Sequence, residues 1–376
     1  MEPANLPSAN YVCIMQAKGK LGWESRALLT EPGPYEVVVA PQKTGICGSD
    51  MHVFLSESAG KDASKKPIVL GHESAGFVTN VGSQVTTLKV GDRVAMEPGK
   101  YCLRCEFCKG GSYSQCQDVK FAAAEGIDGT LQSYYSLPAD VCYKLPDGIS
   151  LEEGALIEPL AVAIMVVSSV AQMPHNANVT VFGAGPVGLL TMAVAKALGA
   201  RRILAIDVQE QRLAFAKEYA ATDIHSSLPK EAGEDSITYA QRHAQAISDK
   251  FGLDAPGRGM DLVMDCSGAE VCIQTGIFLT KRRGTYVQVG AGMPNVLVPM
   301  VTVLVKEIRI KGSLRYGPGC YDMAIDLVHQ GRVQLKQLIT HRFPFNQADL
   351  AFKTTKDGVG PDGRVAIKTI IDGPTA

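Results

Sequence analysis

The sequence predicts an α/β protein in two parts, a β-rich region and a doubly wound parallel sheet with covering helices. Two changes of texture carry this. Residues 1 to about 150 are rich in Gly, Pro and Val, with short segments such as Phe77-Val-Thr-Asn-Val81 and Asp92-Arg-Val-Ala-Met96, which read as strands joined by long loops. From about Val179 the pattern becomes buried strand, Gly-rich turn, helix, strand. It repeats at Arg202-Ile-Leu-Ala-Ile206, Asp261-Leu-Val-Met-Asp265 and Thr285-Tyr-Val-Gln-Val289. Between about Asp223 and Gly259 a polar, charged region reads as helix, with a loop at Asp254-Ala-Pro-Gly-Arg-Gly259. After about Lys311 mixed α and β returns, and no internal repeat or low-complexity tract interrupts the chain.

At 376 residues the chain is long enough for two domains. Its 37 Lys and Arg against 38 Asp and Glu give a net charge of −1, so no bias toward nucleic acid or anionic membrane is expected. The opening Met1-Glu2-Pro3-Ala-Asn-Leu-Pro-Ser lacks a basic segment and an apolar core, which argues against a secretory signal. No apolar run approaches the roughly 20 residues of a membrane helix. The expectation is a cytoplasmic protein.

Four cysteines, Cys102, Cys105, Cys108 and Cys116, fall at the spacing C-x2-C-x2-C-x7-C. Four thiolates on one short excursion can close a tetrahedron around Zn²⁺, and the intervening stretch is too polar and Gly-rich to bury a core of its own. Disulfides are the competing reading, and they suit a secreted chain better than this one. A closed four-sulfur site does no chemistry, so a catalytic metal has to be sought elsewhere.

The clearest strand–turn–helix unit is Val179-Thr-Val-Phe182, then Gly183-Ala-Gly185-Pro-Val-Gly188, then the helical run from Leu189 to Leu198. Glycines there allow a tight turn and close approach of a pyrophosphate to the helix N-terminus. Asp207 ends the next strand about 20 residues on, where a carboxylate accepts hydrogen bonds from ribose hydroxyls and repels a 2′-phosphate, favouring NAD over NADP. A Gly-rich turn in a nucleotide-free domain is the bland alternative.

A second metal constellation lies upstream, with Cys47 in Thr44-Gly-Ile-Cys-Gly-Ser-Asp-Met-His52 and His72-Glu73 in Leu70-Gly-His-Glu-Ser-Ala-Gly76. One sulfur, one imidazole and one carboxylate with an open fourth position suit a catalytic zinc. Taken alone, a cysteine is more often a small core residue, and a His-Glu pair is more often a surface feature. Glu158 tips the balance. It interrupts the apolar stretch Ala155-Leu-Ile-Glu-Pro-Leu-Ala-Val-Ala-Ile-Met-Val-Val167, where a carboxylate is costly unless a cation or its bound water is the partner.

Gly71-His-Glu-x-x-Gly76-x5-Gly82-x2-Val85, followed by Gly91-Asp-Arg-Val94, resembles the zinc signature of the medium-chain alcohol dehydrogenases. The cysteine lobe and the later nucleotide turn complete the family's order along nearly the whole chain. Within it, Ala155-Leu-Ile-Glu-Pro-Leu160, Cys266-Ser-Gly-Ala-Glu270, Gly312-Ser-Leu-Arg-Tyr-Gly317, Leu338-Ile-Thr-His-Arg-Phe343 and Ile371-Asp-Gly-Pro374 resemble the polyol branch, which holds sorbitol, xylitol (D-xylulose reductase) and arabinitol dehydrogenases, and look closest to the fungal-type xylitol enzymes.

The resemblance implies a GroES-like catalytic domain over 1–160 and 313–376 around a Rossmann NAD-binding domain over 161–312. It implies two zinc ions and one NAD per chain. Cys47, His72 and Glu73 match the catalytic zinc ligands, with Glu158 holding or replacing zinc-bound water, and Asp50 would orient His72. Ser49 and His52 match a proton relay. Arg315 and Tyr316 match contacts to polyol and cofactor. Gly183, Gly185, Val187, Gly188, Asp207, Arg212, Val289, Gly290, Ala291 and Leu314 would line the cofactor. The partner is a polyol or ketose, and a homo-oligomer, a tetramer in the family, is implied. The reaction expected is reversible oxidation of a secondary alcohol of a sugar alcohol, xylitol to D-xylulose or sorbitol to fructose. The runner-up is an L-arabinitol 4-dehydrogenase or a medium-chain reductase of another secondary alcohol. Val53 stands where the branch usually has Tyr, and Met165 where it often has His.

Overall fold

The computed structural model describes residues 7–28, 31–55, 67–124 and 126–375. The opening residues 1–6, read above for a secretory signal, lie outside it. The chain forms two compact units, one running to Glu158 and resuming at Gly317, the other spanning Pro159–Tyr316. It passes from one to the other within the helix Ile157–Ile164.

The first unit is built on the strand Glu36–Gly45, inside a seven-stranded sheet. Val37 and Val39 pack into one cluster with Val78, Val94, Met96 and Leu137, while Val38 and Ala40 pack against Tyr134 on the opposite face. Both faces are covered, so this strand is continuously apolar rather than alternating. Its neighbours include Glu73–Val81 and Lys368–Asp372, both antiparallel. The register sets Gly45 opposite Glu73 on one side and opposite Ile370 on the other. Three distant stretches of sequence therefore come side by side at one end of these inner strands.

The second unit carries six parallel strands. Across the sheet they run Asp223–Ser226, Arg202–Asp207, Asn178–Phe182, Met260–Asp265, Thr280–Gln288 and Arg309–Gly312. In chain order this is 3-2-1-4-5-6, the doubly wound arrangement, with its reversal between the first and fourth strands. Phe182, Leu204, Val263, Tyr286 and Ile247 meet in its core.

One strand departs from the sequence reading. Asp223–Ser226 was expected within a helical region, yet it pairs in parallel with Leu204–Asp207. Only His225 among its four residues is buried, so no apolar pattern marks it. The helix that was expected begins later, at Ser236, where Asp235 accepts the amides of Ile237 and Thr238. It ends at Phe251, and Gly252 follows in the left-handed conformation a helix stop favours. Its inward face is Tyr239, Ala240, His243, Ala244 and Ile247, a helical stripe.

His243 on that stripe stacks on His225, ring centroids 5.4 Å apart, and its Nε2 has no hydrogen-bond partner. Burial pushes its pKa down to about 4, helped by His225 and Arg242. A base held neutral in the fold stabilises fully above its unfolded pKa, about 6.5, and that contribution drains as pH falls toward 4. Between pH 7 and 5 this residue should withdraw about 2 kcal/mol of stability. Thermal unfolding of wild type and His243→Leu at the two pH values checks it. The variant should lose less stability on acidification, and equal losses would show that another group sets the acid limit.

Candidate active site and metal centres

That end of the inner strands assembles the upstream constellation. The chain leaves the Glu36–Gly45 strand, places Cys47 two residues on, and enters the helix Gly48–Leu55. Glu73 opens the neighbouring strand with His72 just before it. The sulfur of Cys47, a ring nitrogen of His72 and a carboxylate oxygen of Glu73 all lie within 4.8 Å of one another. Gly45 leaves the carboxylate its room, since a Cβ there would come within 2.3 Å of a Glu73 oxygen.

Asp50 ties the two loops together. It is buried, and it accepts the amides of Cys47 (3.0 Å) and Gly71 (3.1 Å) while lying 3.3 Å from His72 Nδ1. That contact leaves Nε2 as the free face of the imidazole, with Ser49 Oγ 3.4 Å from it. Burial disfavours a charged His72, but the acidic partners Asp50 and Cys47 outweigh it and raise its pKa well above the usual range. Anionic donors gathered around one buried point suit a cation, and Glu73 Oε1, fully buried with no hydrogen-bond partner, marks the same place. Three mixed donors of this kind fit Zn²⁺ with a position left open.

Ser49 and His52 are both exposed and stand three positions apart on one helix. Glu158 is buried at the start of the helix Ile157–Ile164 and lies outside the three-donor group. Its charge acts on Lys368, a residue the sequence reading missed. Lys368 is buried, forms an ion pair with Glu73 and donates to the Ile46 carbonyl at 3.0 Å. Burial lowers its pKa, yet Glu73, Cys47 and Glu158 raise it further, so it stays charged. The signal was the one that exposed Glu158: a charge inside the apolar run Val365-Ala-Ile-Lys-Thr-Ile-Ile371. Val53, where the polyol branch usually has Tyr, packs half-buried against the core.

In the cysteine lobe the four sulfurs also lie within 4.8 Å of one another. Cys102 and Cys108 sulfurs are 3.9 Å apart, far beyond a disulfide bond and close to the ~3.8 Å edge of a zinc–sulfur tetrahedron. The amides of Arg104 and Cys105 point at Cys102 Sγ and lower its pKa to about 6. Cys108 moves the other way, to about 12, through desolvation and hydrogen bonding to its neighbours' sulfurs.

The nucleotide turn sits at the reversal of the second sheet. Gly188 is dictated by contact, since a Cβ would fall 1.8 Å from the Gly183 carbonyl. Gly185 differs: nothing lies within 4 Å of where its Cβ would be, so the space is open to a ligand. Gly185 also caps the helix Pro186–Ala197 with no side chain on its first amides, as an anion cradle needs. Asp207 accepts the Ala184 amide at 2.7 Å and the Gln209 amide at 2.8 Å, so it holds the turn it was expected to face. Arg212, on the following helix, has a buried Nε without a partner. Val187 is half-buried in the first turn of its helix.

Val289, Gly290 and Ala291 leave the Thr280–Gln288 strand beside Asp265, whose carbonyl takes the amides of Val289 and Gly290. The sequence reading passed over Asp265 as a site residue. Its carboxylate, fully buried, accepts Ser267 (2.8 and 2.6 Å) and Gln288 (3.2 Å), and so ties the turn after its own strand to the end of the neighbouring one. Leu314, exposed, and Arg315, in left-handed backbone (φ 55°), follow the Arg309–Gly312 strand and lead to buried Tyr316.

Comparison with known proteins agrees with this geometry. Residues 33–147 match the alcohol dehydrogenase GroES-like domain, and residues 186–330 match the zinc-binding dehydrogenase domain. The "Probable D-xylulose reductase A" of Aspergillus terreus is 47% identical over 98% of this chain and 99% of its own. Among solved structures, an Escherichia coli oxidoreductase/dehydrogenase of unknown specificity superposes with a TM-score of 0.83 at 32% identity, covering 97% of this chain and 99% of that one. A short chain alcohol dehydrogenase from E. coli CFT073, solved with NADH, gives 0.83 at 25% identity over 97% and 100%. With 47% identity over 98% of its length and both domain models matched, the chain belongs to the zinc-binding dehydrogenases that carry an alcohol dehydrogenase GroES-like domain.

Proposed function

We propose that this dehydrogenase interconverts xylitol and D-xylulose with NAD⁺, using one catalytic and one structural zinc. The observation that carries the reading is the Cys47, His72 and Glu73 group, within 4.8 Å, in a chain 47% identical to a protein named for D-xylulose reduction. On this reading residues 1–160 and 313–376 form the catalytic part and residues 161–312 the nucleotide part.

Zinc, when bound, supplies a Lewis acid for the substrate oxygen, and NAD⁺ supplies the hydride acceptor. The rest is the work of this chain. Cys47, His72 and Glu73 would hold the catalytic ion, and Asp50 fixes the imidazole so that Nε2 faces it. Ser49 takes the hydroxyl proton and His52, exposed on the same helix, passes it to water. Glu158 is the carboxylate that exchanges with water in the site, and Lys368 balances its charge and that of Glu73. Arg315 and Tyr316 meet the polyol. Gly183, Gly185 and Gly188 cradle the pyrophosphate, Asp207 and Arg212 hold the adenosine ribose, and Val187, Val289, Gly290, Ala291 and Leu314 line the cofactor. Cys102, Cys105, Cys108 and Cys116 hold the structural ion.

We further propose a homo-oligomer, a tetramer by family resemblance. In support, Met300, Val301, Leu304 and Val305 on the helix Met300–Lys306 are more than half exposed, a patch that a second copy would cover. A reducing, cytoplasmic setting is in keeping with ten free cysteines, and no helix among the described residues is long and apolar enough to cross a membrane.

A panel of xylitol, sorbitol, L-arabinitol and simple secondary alcohols with NAD⁺ and NADP⁺, read by NADH absorbance, tests the reading. Xylitol with NAD⁺ should give the highest kcat/KM. Asp207→Ala should narrow the preference for NAD⁺ over NADP⁺ about 10- to 100-fold, the loss of one charge-assisted hydrogen bond and of a repulsion. Because Asp207 also holds the Ala184 amide, melting temperature is measured alongside. A wild type equally efficient with both cofactors, or faster on a simple alcohol than on any polyol, would defeat the proposal.

A further inference from the structure

The sheet of the second unit has a cavity at the end opposite the nucleotide turn. It measures about 650 Å³ and lies along Leu262, Thr285 and Arg309, which pair across three neighbouring strands. Thr285 is three residues, about 10 Å, along its strand from Gln288 on the nucleotide side. The cavity is therefore separate from the cofactor cradle.

Its walls are strongly basic. Lys281, Arg282, Arg283, Arg309 and Lys311 line it against two carboxylates, Asp261 and Glu307. Asp261 is used up, since it pairs with Lys281 and accepts the Asn178 amide at 2.7 Å. Glu307 is 3.5 Å from Arg283, and both are largely exposed, so solvent weakens that pair. Arg282, Arg309 and Lys311 have no carboxylate partner among the described residues. Their charged ends rest on backbone carbonyls instead, Arg282 on Val305 (3.0 Å), Arg309 on Arg283 (2.9 Å) and Lys311 on Val170 (2.7 Å).

The backbone here is unusual too. Among the described residues seven non-glycines have positive φ, and three of them, Gln172, Arg283 and Glu307, line this one cavity. Two of these are helix stops, Gln172 after Met165–Val170 and Glu307 after Met300–Lys306, which leaves Arg283 as the position held by its surroundings. Arg282 and Arg309 are exposed and Lys311 is half-buried, so an anion can reach all three from solvent.

We propose that this cavity is a second ligand site, which binds a small metabolite carrying two phosphoryl groups. Three cations without carboxylates match more charge than one phosphate supplies, and the volume exceeds what a lone inorganic ion fills. Arginine forks on two sides recognise phosphoryl oxygens, and the Thr285 and Gln172 side chains offer polar contacts to the organic part.

Isothermal titration of the zinc-loaded protein, with NADH saturating so that the nucleotide cradle is filled, tests the site. The probes are inorganic pyrophosphate, ATP and a ketohexose bisphosphate, with sulfate as control. At least one phosphorylated probe should bind at one site per chain and raise the melting temperature. Tighter ATP binding identifies the ligand as a nucleoside phosphate, and tighter bisphosphate binding identifies it as a sugar phosphate. The double variant Arg282→Gln/Arg309→Gln keeps amide donors for the two carbonyls and removes both charges. It should bind the probe at least tenfold more weakly while KM for NAD⁺ and for polyol stays within twofold. No binding by wild type, equal affinity in a folded double variant, or sulfate binding as tightly as any phosphorylated probe would each overturn the proposal.

Discussion

Glu158→Gln is expected to fold, keep its zinc and lose turnover by about a hundredfold or more, the usual scale for removing a positioned proton-transfer group. The substitution is nearly isosteric, so the packing of a residue only 5% exposed is retained. What disappears is one of the negative charges that, with Glu73 and Cys47, keep Lys368 protonated. An amide there can neither exchange with water at a cation nor balance the lysine. Steady-state xylitol oxidation, zinc content and melting temperature are measured together. A well-folded variant with wild-type kcat would reduce Glu158 to a satisfied core carboxylate.

Cys105→Ser should release one of two zinc ions and lower the melting temperature by about 5 °C or more, as expected for a loss of a few kcal/mol. The lobe has little else to hold it. Its helix Glu106–Lys109 has four residues, none buried, and its N-cap is Cys105 itself, whose sulfur accepts the Cys108 amide. Metal binding there does the work of a core. Polyol oxidation by the surviving folded fraction should remain, because the three-donor group lies elsewhere. A fully active wild type holding one zinc per chain would remove the structural ion from this account.

Much of the site was legible in the residues because its chemistry is written in short runs. The cysteine spacing, the glycine turn and the Gly-His-Glu triplet each lie within a short stretch of sequence, and a charge in an apolar run singled out Glu158 as a candidate. What escaped depended on long-range pairing. Lys368 joins Glu73 only because its strand lies beside Glu36–Gly45, a register no local pattern shows. Asp265 escaped because an aspartate closing a strand looks like an ordinary boundary, whereas its role lies in the turn and the neighbouring strand end it ties. The Asp223–Ser226 strand escaped because an edge strand with one buried residue has no periodicity to read.

Lys368 is made long after the residues it joins, with the whole Pro159–Tyr316 unit between them in sequence. The strands Glu36–Gly45 and Glu73–Val81 precede that unit, whereas Lys368–Asp372, which pairs with the first of them, follows it. Until it arrives, Glu73 lies beside an unfinished sheet edge without its lysine, and the three metal donors share a place with no counter-charge. The Pro159–Tyr316 unit, closed on its own contacts, can fold in the interval. Pairing across so long a stretch is slow, because loop closure has to precede the contacts that reward it. That returning strand therefore acts as a timer: the site is complete only once the chain has come back from the intervening unit, and a zinc ion that comes early meets an unfinished sheet.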